Sequence, residues 1–435
     1  MSPEPATPDP ATPEPGSQKP GSQKPGSQKP ESPDPTAPEP TTQGAKAPDP
    51  RSQAPTNDSA AVPLVGVEAF RVRLPLVHEF ETSSHRKSYL EHILVRLEDT
   101  AGFVGWGEIA SPSDPFYSAE TVDTCWWMLA THLAPAVLAH RWTTPWEADL
   151  AWARIRGHNF AKAGFDMACW DLACRREDMS LASALGGTRT SAPAGVSLGI
   201  EPTVDDLLAQ VSHHLDDGYR RIKLKIAPGW DTEPVRAVRG TYPDLALQVD
   251  ANGAYDEDPV HLNALQALDA YDLLLIEQPF APGALAAHAR LQARLDTALC
   301  LDESIDDLDQ LDTAMALDAA KILNIKVSRM GGITPARRAH DRAVAGGWQV
   351  WCGGMHEFGI GRAANVALAS LPGFALPSDV SGSDKYYTQD VVDPPIRAYD
   401  GEVPVPLDRP GLGHDVDEDL IRSLAGDTFT LRPPP

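Results

Sequence analysis

The chain is short of positive charge. Of its 435 residues, 37 are lysine or arginine and 61 are aspartate or glutamate, a formal net charge of −24. Such a surface repels nucleic acid and anionic lipid over most of its area, so neither is expected as a partner. Cysteine is equally sparse. The five residues Cys125, Cys169, Cys174, Cys300 and Cys352 are odd in number and contain no CxxC pair. That argues against a disulfide framework and leaves reduced, buried thiols of a cytoplasmic protein as the expectation. No apolar run reaches the roughly 18–20 residues that a membrane-spanning helix requires. The amino-terminus lacks the basic-then-apolar pattern of an export signal, so export by that route is not expected.

Large apolar side chains are nearly missing from residues 1–60. Sixteen of the first 55 residues are proline, and the unit GSQKP occurs three times in succession. Such a segment cannot bury enough surface to offset the entropy of ordering. It reads as a disordered, polyproline-type spacer, in preference to a PxxP ligand.

The chain beyond residue 60 is built differently. "VGVEAFRVRLPL" (65–76) and "YLEHILVRLED" (89–99) alternate like strands, "FVGWGEIA" (103–110) comes next, and helical periodicity dominates from about 119 to 175. "FAKAGFDMACWDLACR" (160–175) places Phe160, Ala163, Met167, Trp170 and Leu172 near one stripe, expected as core between two units. Residues 61–188 thus read as an α+β capping domain. From 191 onward, short apolar strands alternate with amphipathic helices. Eight strand candidates, the last two "WQVWCGG" and "GFALPSDV", follow from residue 191 to 380, and residues 189–378 read as the barrel domain. Eight such units in a row fit an α/β fold of the (β/α)8 (modified TIM) barrel type. Residues 379–435 are proline-rich, read as mostly irregular, and are expected to return to the capping domain.

Five strand candidates end in a charged residue: Lys225, Asp250, Glu277, Asp302 and Lys326. Successive members are one βα unit apart, and the carboxyl ends of barrel strands converge on one mouth. Three carboxylates facing one point repel unless a cation lies between them. An oxygen-only donor set favours Mg²⁺ first and Mn²⁺ second. The triad is flanked by a lysine on each side, which suits removal of a proton next to a carboxylate, with the cation stabilising the enediolate. In "YRRIKLKI" (219–226), Lys223 shares a strand face with Lys225. A neighbouring ammonium disfavours the charged form of a lysine base. The alternative is that Lys223 is a salt-bridge partner of the carboxylates.

On the stretches "YRRIKLKIAPGWD", "LLLIEQP", "CLDES", "NIKVSRMGG" and "WCGGMHEFGIGRAANVALASLP", the chain from about 65 to 415 resembles the enolase superfamily, muconate cycloisomerase-like subgroup. Within it, the chain is most similar to o-succinylbenzoate synthases that also act as N-succinylamino acid racemases. The resemblance implies Mg²⁺ on Asp250, Glu277 and Asp302, and acid/base roles for Lys225 and Lys326. It implies substrate contacts at Ser197, Lys223, Asn252 and the backbone of Gly354, Met355 and His356. It further implies a small-molecule carboxylate substrate, a homo-oligomer, a role in menaquinone synthesis or amino acid conversion, and cap loops 79–87 and 111–118 closing over the mouth. A dipeptide epimerase or muconate-type cycloisomerase would use the same site. A non-catalytic scaffold is the rival of another class. His356 and Phe358 depart from the aliphatic and small residues usual at those places in the family, which bears on substrate identity. Two motifs are decoys. "GVSLG" (195–199) lies inside a strand pattern, not at a nucleophile elbow, and the residues just before "GIGRAA" (359–364), "MHEF", do not read as a strand.

Overall fold

The structure, a computed structural model, describes residues 62–81 and 86–433. The tail 1–60 and the centre of the 79–87 loop lie outside the described residues. Three strands open the described chain: β1 (Leu64–Glu81), β2 (Arg86–Asp99) and β3 (Val104–Ile109). They form an antiparallel sheet whose fourth strand is Ala425–Leu431, paired with β1. In β1, Val67 and Ala69 lie on one face and Phe70, Val72 and Leu74 on the other, and all five are buried. Both faces of the sheet are therefore covered. One packs on a cluster with Phe165 and Leu172, the other on the large core that continues into the barrel.

The helix Asn159–Arg176 lies between these two cores. Ala163, Met167 and Trp170 join the barrel-side cluster, whereas Phe160 and Leu172 join the cap cluster. The single stripe expected from the sequence is thus split, because the helix is enclosed on two sides. Its close approach to the sheet depends on glycine: a Cβ on Gly107 would overlap the carbonyl oxygen of Gly164. Buried Asp171 ties three segments together, accepting from the backbone N–H of Trp106 (2.9 Å) and Leu412 (2.8 Å) and from the Arg175 side chain.

After a short strand β4 (Ser191–Pro193) come β5 (Gly195–Leu198), β6 (Arg221–Lys225), β7 (Ala246–Asp250), β8 (Ile276–Glu277), β9 (Leu299–Leu301), β10 (Ile322–Ile325) and β11 (Gln349–Cys352). β5 to β11 form a seven-stranded parallel sheet in strict chain order. Sequential parallel pairing requires a crossover each time, and the intervening helices supply it.

The eighth strand expected at "GFALPSDV" is not a regular strand. Pro377 has no N–H to give a ladder, and Pro372 precedes the segment. Residues 374–379 nevertheless bridge both edges of the sheet. Val350 pairs with Phe374 and Ala194 with Ser378. The N–H of Gly195 donates to Ser378 O and that of Asp379 to Cys352 O, each at 2.8 Å. The ring is closed by an irregular segment.

Beyond it the chain is less irregular than its prolines suggest. Glu402–Pro404 pairs with β4, and the helix Glu418–Leu424 precedes the strand that joins the cap sheet. All five thiols are free and buried. Trp126 packs on the cap core and Trp127 is exposed. Among the described residues, no helix is long and apolar enough to cross a membrane.

Candidate active site

Strand register assembles the site. β6, β7 and β8 pair so that Lys225 lies opposite Asp250 and Asp250 opposite Glu277, while Ser197 of β5 lies opposite Lys223. Asp302 and Lys326 come directly after β9 and β10. The five charged positions therefore sit at consecutive strand ends.

Their side chains interlock. Lys225 Nζ stands 2.6 Å from Asp250 Oδ2 and also donates to Asn252 Oδ1. Lys223 Nζ, almost wholly buried, lies 3.4 Å from Asp250, 3.2 Å from Glu277 and 3.1 Å from Asp379. It also sits 4.8 Å above the Trp351 ring. Burial pulls this ammonium toward neutrality, but Asp379, Glu277 and Asp250 outweigh it and raise its pKa. Lys223 is therefore an ion-pair partner of the carboxylates, and those pairs keep a positive charge beside Lys225.

Burial favours the neutral form of Asp250, yet Lys225 and Lys223 win and lower it to about 2. Burial and the charge of Asp250 push Glu277 up. Glu277 accepts from Asn324 Nδ2 at 2.6 Å.

The other flank is set by the cap. Lys326 Nζ is 2.8 Å from Asp302 Oδ2 and 3.0 Å from the Tyr117 hydroxyl, and it lies 4.8 Å over the Tyr117 ring. Burial works against its charge, but Tyr117, Glu303 and Glu277 together raise its pKa. The Arg329 guanidinium donates to Asp302 as well. Tyr117 belongs to the expected cap loop 111–118, which does reach the mouth.

Three residues just beyond strand ends adopt left-handed backbone: Asn252 (φ 44°), Gln278 (φ 39°) and His356 (φ 61°). Such positions cost on the order of 1 kcal/mol or more and concentrate at functional sites. The turn at Asn252 is closed by its N–H bond to Asp250 Oδ1 (3.0 Å), and its side chain donates to Glu303 (2.8 Å). Gln278 Oε1 accepts from the N–H of Asp302 at 3.0 Å, fixing that residue's backbone.

Gly354, Met355 and His356 lie beyond β11, and Met355 packs against the cap core. The His356 ring lies 5.0 Å from that of Tyr386, and its carbonyl accepts from the Tyr387 hydroxyl at 2.5 Å. Burial, then Lys385 and Arg362, lower its pKa to about 3, so the imidazole is neutral. Phe358 is fully buried between His92 (4.4 Å) and Tyr387 (5.2 Å), its bulk absorbed at the junction of cap and barrel. Ser197 lies inside β5, as expected of a strand residue, and its hydroxyl donates to Asp379 at 3.0 Å.

Among the described residues, no three acidic, histidine or cysteine side chains are already clustered as a cation cage. Ammonium and guanidinium groups reach the carboxylates instead. The donor set still fits a hard divalent cation. It is all oxygen, and Asp302 Oδ2 and Glu303 Oε2 are buried without a hydrogen-bond donor. For Asp302 Oδ2, the Lys326 ammonium supplies charge at 2.8 Å but not hydrogen-bond alignment.

The sequence reading missed Asp379, Glu303, Gln278 and Asn324 as members of the site. Asp379 carried the same signal as the others, a charge at the end of a strand candidate. Glu303 is the next residue in "CLDES".

Known proteins match this arrangement. A family profile described as "Enolase C-terminal domain-like" covers residues 206–420, and the "Mandelate racemase / muconate lactonizing enzyme, N-terminal domain" covers residues 64–186. An o-succinylbenzoate synthase of Bacillus subtilis is 42% identical over 83% of this chain and 96% of its own length. An N-succinylamino acid racemase of Amycolatopsis is 47% identical over 80% of this chain and 94% of its own. Among solved structures, an enolase superfamily member from Listeria innocua superposes with a TM-score of 0.83 at 33% identity, covering 85% of this chain and 99% of that one. The chain belongs to the enolase superfamily, in the branch named for mandelate racemase and muconate lactonizing enzyme.

Proposed function

We propose that the protein is a Mg²⁺-dependent o-succinylbenzoate synthase, an N-succinylamino acid racemase, or both. The observation that carries this reading is the order of strand ends: a lysine, three carboxylates, and a lysine on β6 to β10. Asp250, Glu277 and Asp302 would hold the cation, with Mn²⁺ as a substitute. When bound, it supplies positive charge to the substrate carboxylate as negative charge develops there. Lys225 takes the proton α to that carboxylate. Lys326, anchored on Asp302 and Tyr117, returns a proton to the opposite face in racemisation or faces the ring as a cation in dehydration. Lys223 is held charged beside Lys225 by its carboxylates. Ser197, Asn252 and the backbone of 354–356 would position the substrate.

Dehydration would place the enzyme in menaquinone synthesis, and the buried free thiols suit a reducing cytoplasm. The test is one set of assays on the purified protein with Mg²⁺. They follow α-proton exchange of N-succinyl amino acids in D₂O and dehydration of the cyclohexadiene precursor of o-succinylbenzoate. At least one is expected to be fast. Silence in both would overturn the reading and direct the search to dipeptides.

A further inference from the structure

The irregular segment that closes the barrel ends in an aspartate that belongs to none of the five charged strand ends. We propose that Asp379 is a positioning residue that draws the Lys223 ammonium away from Asp250 and Glu277, leaving both carboxylates free for a divalent cation. The inference rests on the cation site proposed above.

The geometry is a competition. Lys223 Nζ has three carboxylates within reach, Asp379 at 3.1 Å, Glu277 at 3.2 Å and Asp250 at 3.4 Å. The shortest of the three separations is to Asp379. Asp379 is itself held in place. Its N–H donates to Cys352 O at 2.8 Å, its Oδ1 accepts from the fully buried Arg221 at 2.8 Å, and its Oδ2 accepts from Ser197 at 3.0 Å. Arg221 also donates to Pro377 O at 2.9 Å, so the guanidinium grips the closing segment at two points. Trp351 forms the floor, with Arg221 5.3 Å and Lys223 4.8 Å from its ring.

A buried ammonium requires counter-charge. If Asp379 loses its charge, Lys223 is left with Asp250 and Glu277 as its ion-pair partners among the described residues. A divalent cation then has to displace Lys223 from two of its proposed ligands. With Asp379 present, Lys223 keeps a partner of its own when those two turn to the cation. Arg221, Lys223 and Asp379 are thus one unit, spanning β6 and the segment that stands in for an eighth strand.

The experiment measures Mn²⁺ binding without substrate, by calorimetry and by the loss of the free-ion electron paramagnetic resonance signal. The wild type, Asp379→Asn, Lys223→Gln and the double variant are compared, with folding checked by circular dichroism. Asp379→Asn is expected to weaken Mn²⁺ at least tenfold. Adding Lys223→Gln is expected to restore affinity to within threefold of the wild type, because the competitor is gone. A purely structural role for Asp379 would not be rescued in this way. Unchanged affinity in Asp379→Asn, or a loss that persists in the double variant, overturns the inference. Should Asp379→Asn fail to fold, Lys223→Gln alone decides: affinity equal to or tighter than wild type supports the inference, and threefold weaker binding overturns it. Absence of Mn²⁺ binding by the wild type would instead overturn the cation site itself.

Discussion

Replacing Lys225 by alanine separates chemistry from folding. The Lys225 side chain is 28% exposed, and its ionic partner is Asp250 at 2.6 Å. After truncation Asp250 is not orphaned, because Lys223 stays at 3.4 Å and the N–H of Asn252 still donates to Oδ1. A partly exposed pair contributes about 0–1 kcal/mol. The imperfectly satisfied Asp250 oxygen adds a cost of about 1 kcal/mol. The total, about 1–2 kcal/mol, corresponds to a fall in Tm of roughly 2–8 °C for a domain of this class. Loss of a general base costs about 10²–10⁴ in rate, or about 3–5.5 kcal/mol of barrier. The assay pairs thermal unfolding with α-proton exchange in D₂O. Folded protein that has lost more than a hundredfold in exchange is expected. A folded variant within tenfold of wild-type turnover would refute the assignment of Lys225 as the base.

The matching change at the other flank behaves differently. Lys326→Ala removes a side chain only 9% exposed from a pair with buried Asp302, so it should cost turnover and also about 2–3 kcal/mol of stability, partly offset because Arg329 stays on Asp302. Burial raises the Asp166 carboxyl to about 7, against about 3.9 in the unfolded chain. Between these values the folded state keeps a proton that the unfolded state has lost, so stability falls as pH rises. Asp166→Asn should therefore gain on the wild type, from nothing below pH ~4 to at most about 4 kcal/mol above pH ~7, read by urea unfolding across pH. Glu108 accepts from Phe358 N (2.8 Å) and Gly361 N (2.7 Å) and pairs with His92 (2.6 Å), joining cap to barrel. Glu108→Ala should cost about 3–5 kcal/mol and Glu108→Gln clearly less, measured by the same unfolding curves.

Much of the site was legible because charged residues closing apolar strands recur at one βα interval. A parallel barrel turns that interval into proximity, as the register of Lys225, Asp250 and Glu277 demonstrates. The cap strands were legible from alternation. What was not legible depended on partners distant in sequence. The two-sided burial of the 159–176 helix comes from what packs on it, not from its own periodicity. Asp379 closes a strand candidate as the others do, but its role follows from Arg221, Lys223 and Ser197 converging on it, which the spacing does not encode. Tyr117 reaches Lys326 across 209 residues of chain, a contact that no local pattern encodes.

At the centre of the proposed chemistry, three strand-end carboxylates share one dication between two lysines. The most direct measurement is anomalous scattering from a crystal soaked in Mn²⁺. A single strong peak bounded by oxygens of Asp250, Glu277 and Asp302 is the expected result. A peak elsewhere, or none at saturating Mn²⁺, would contradict the account.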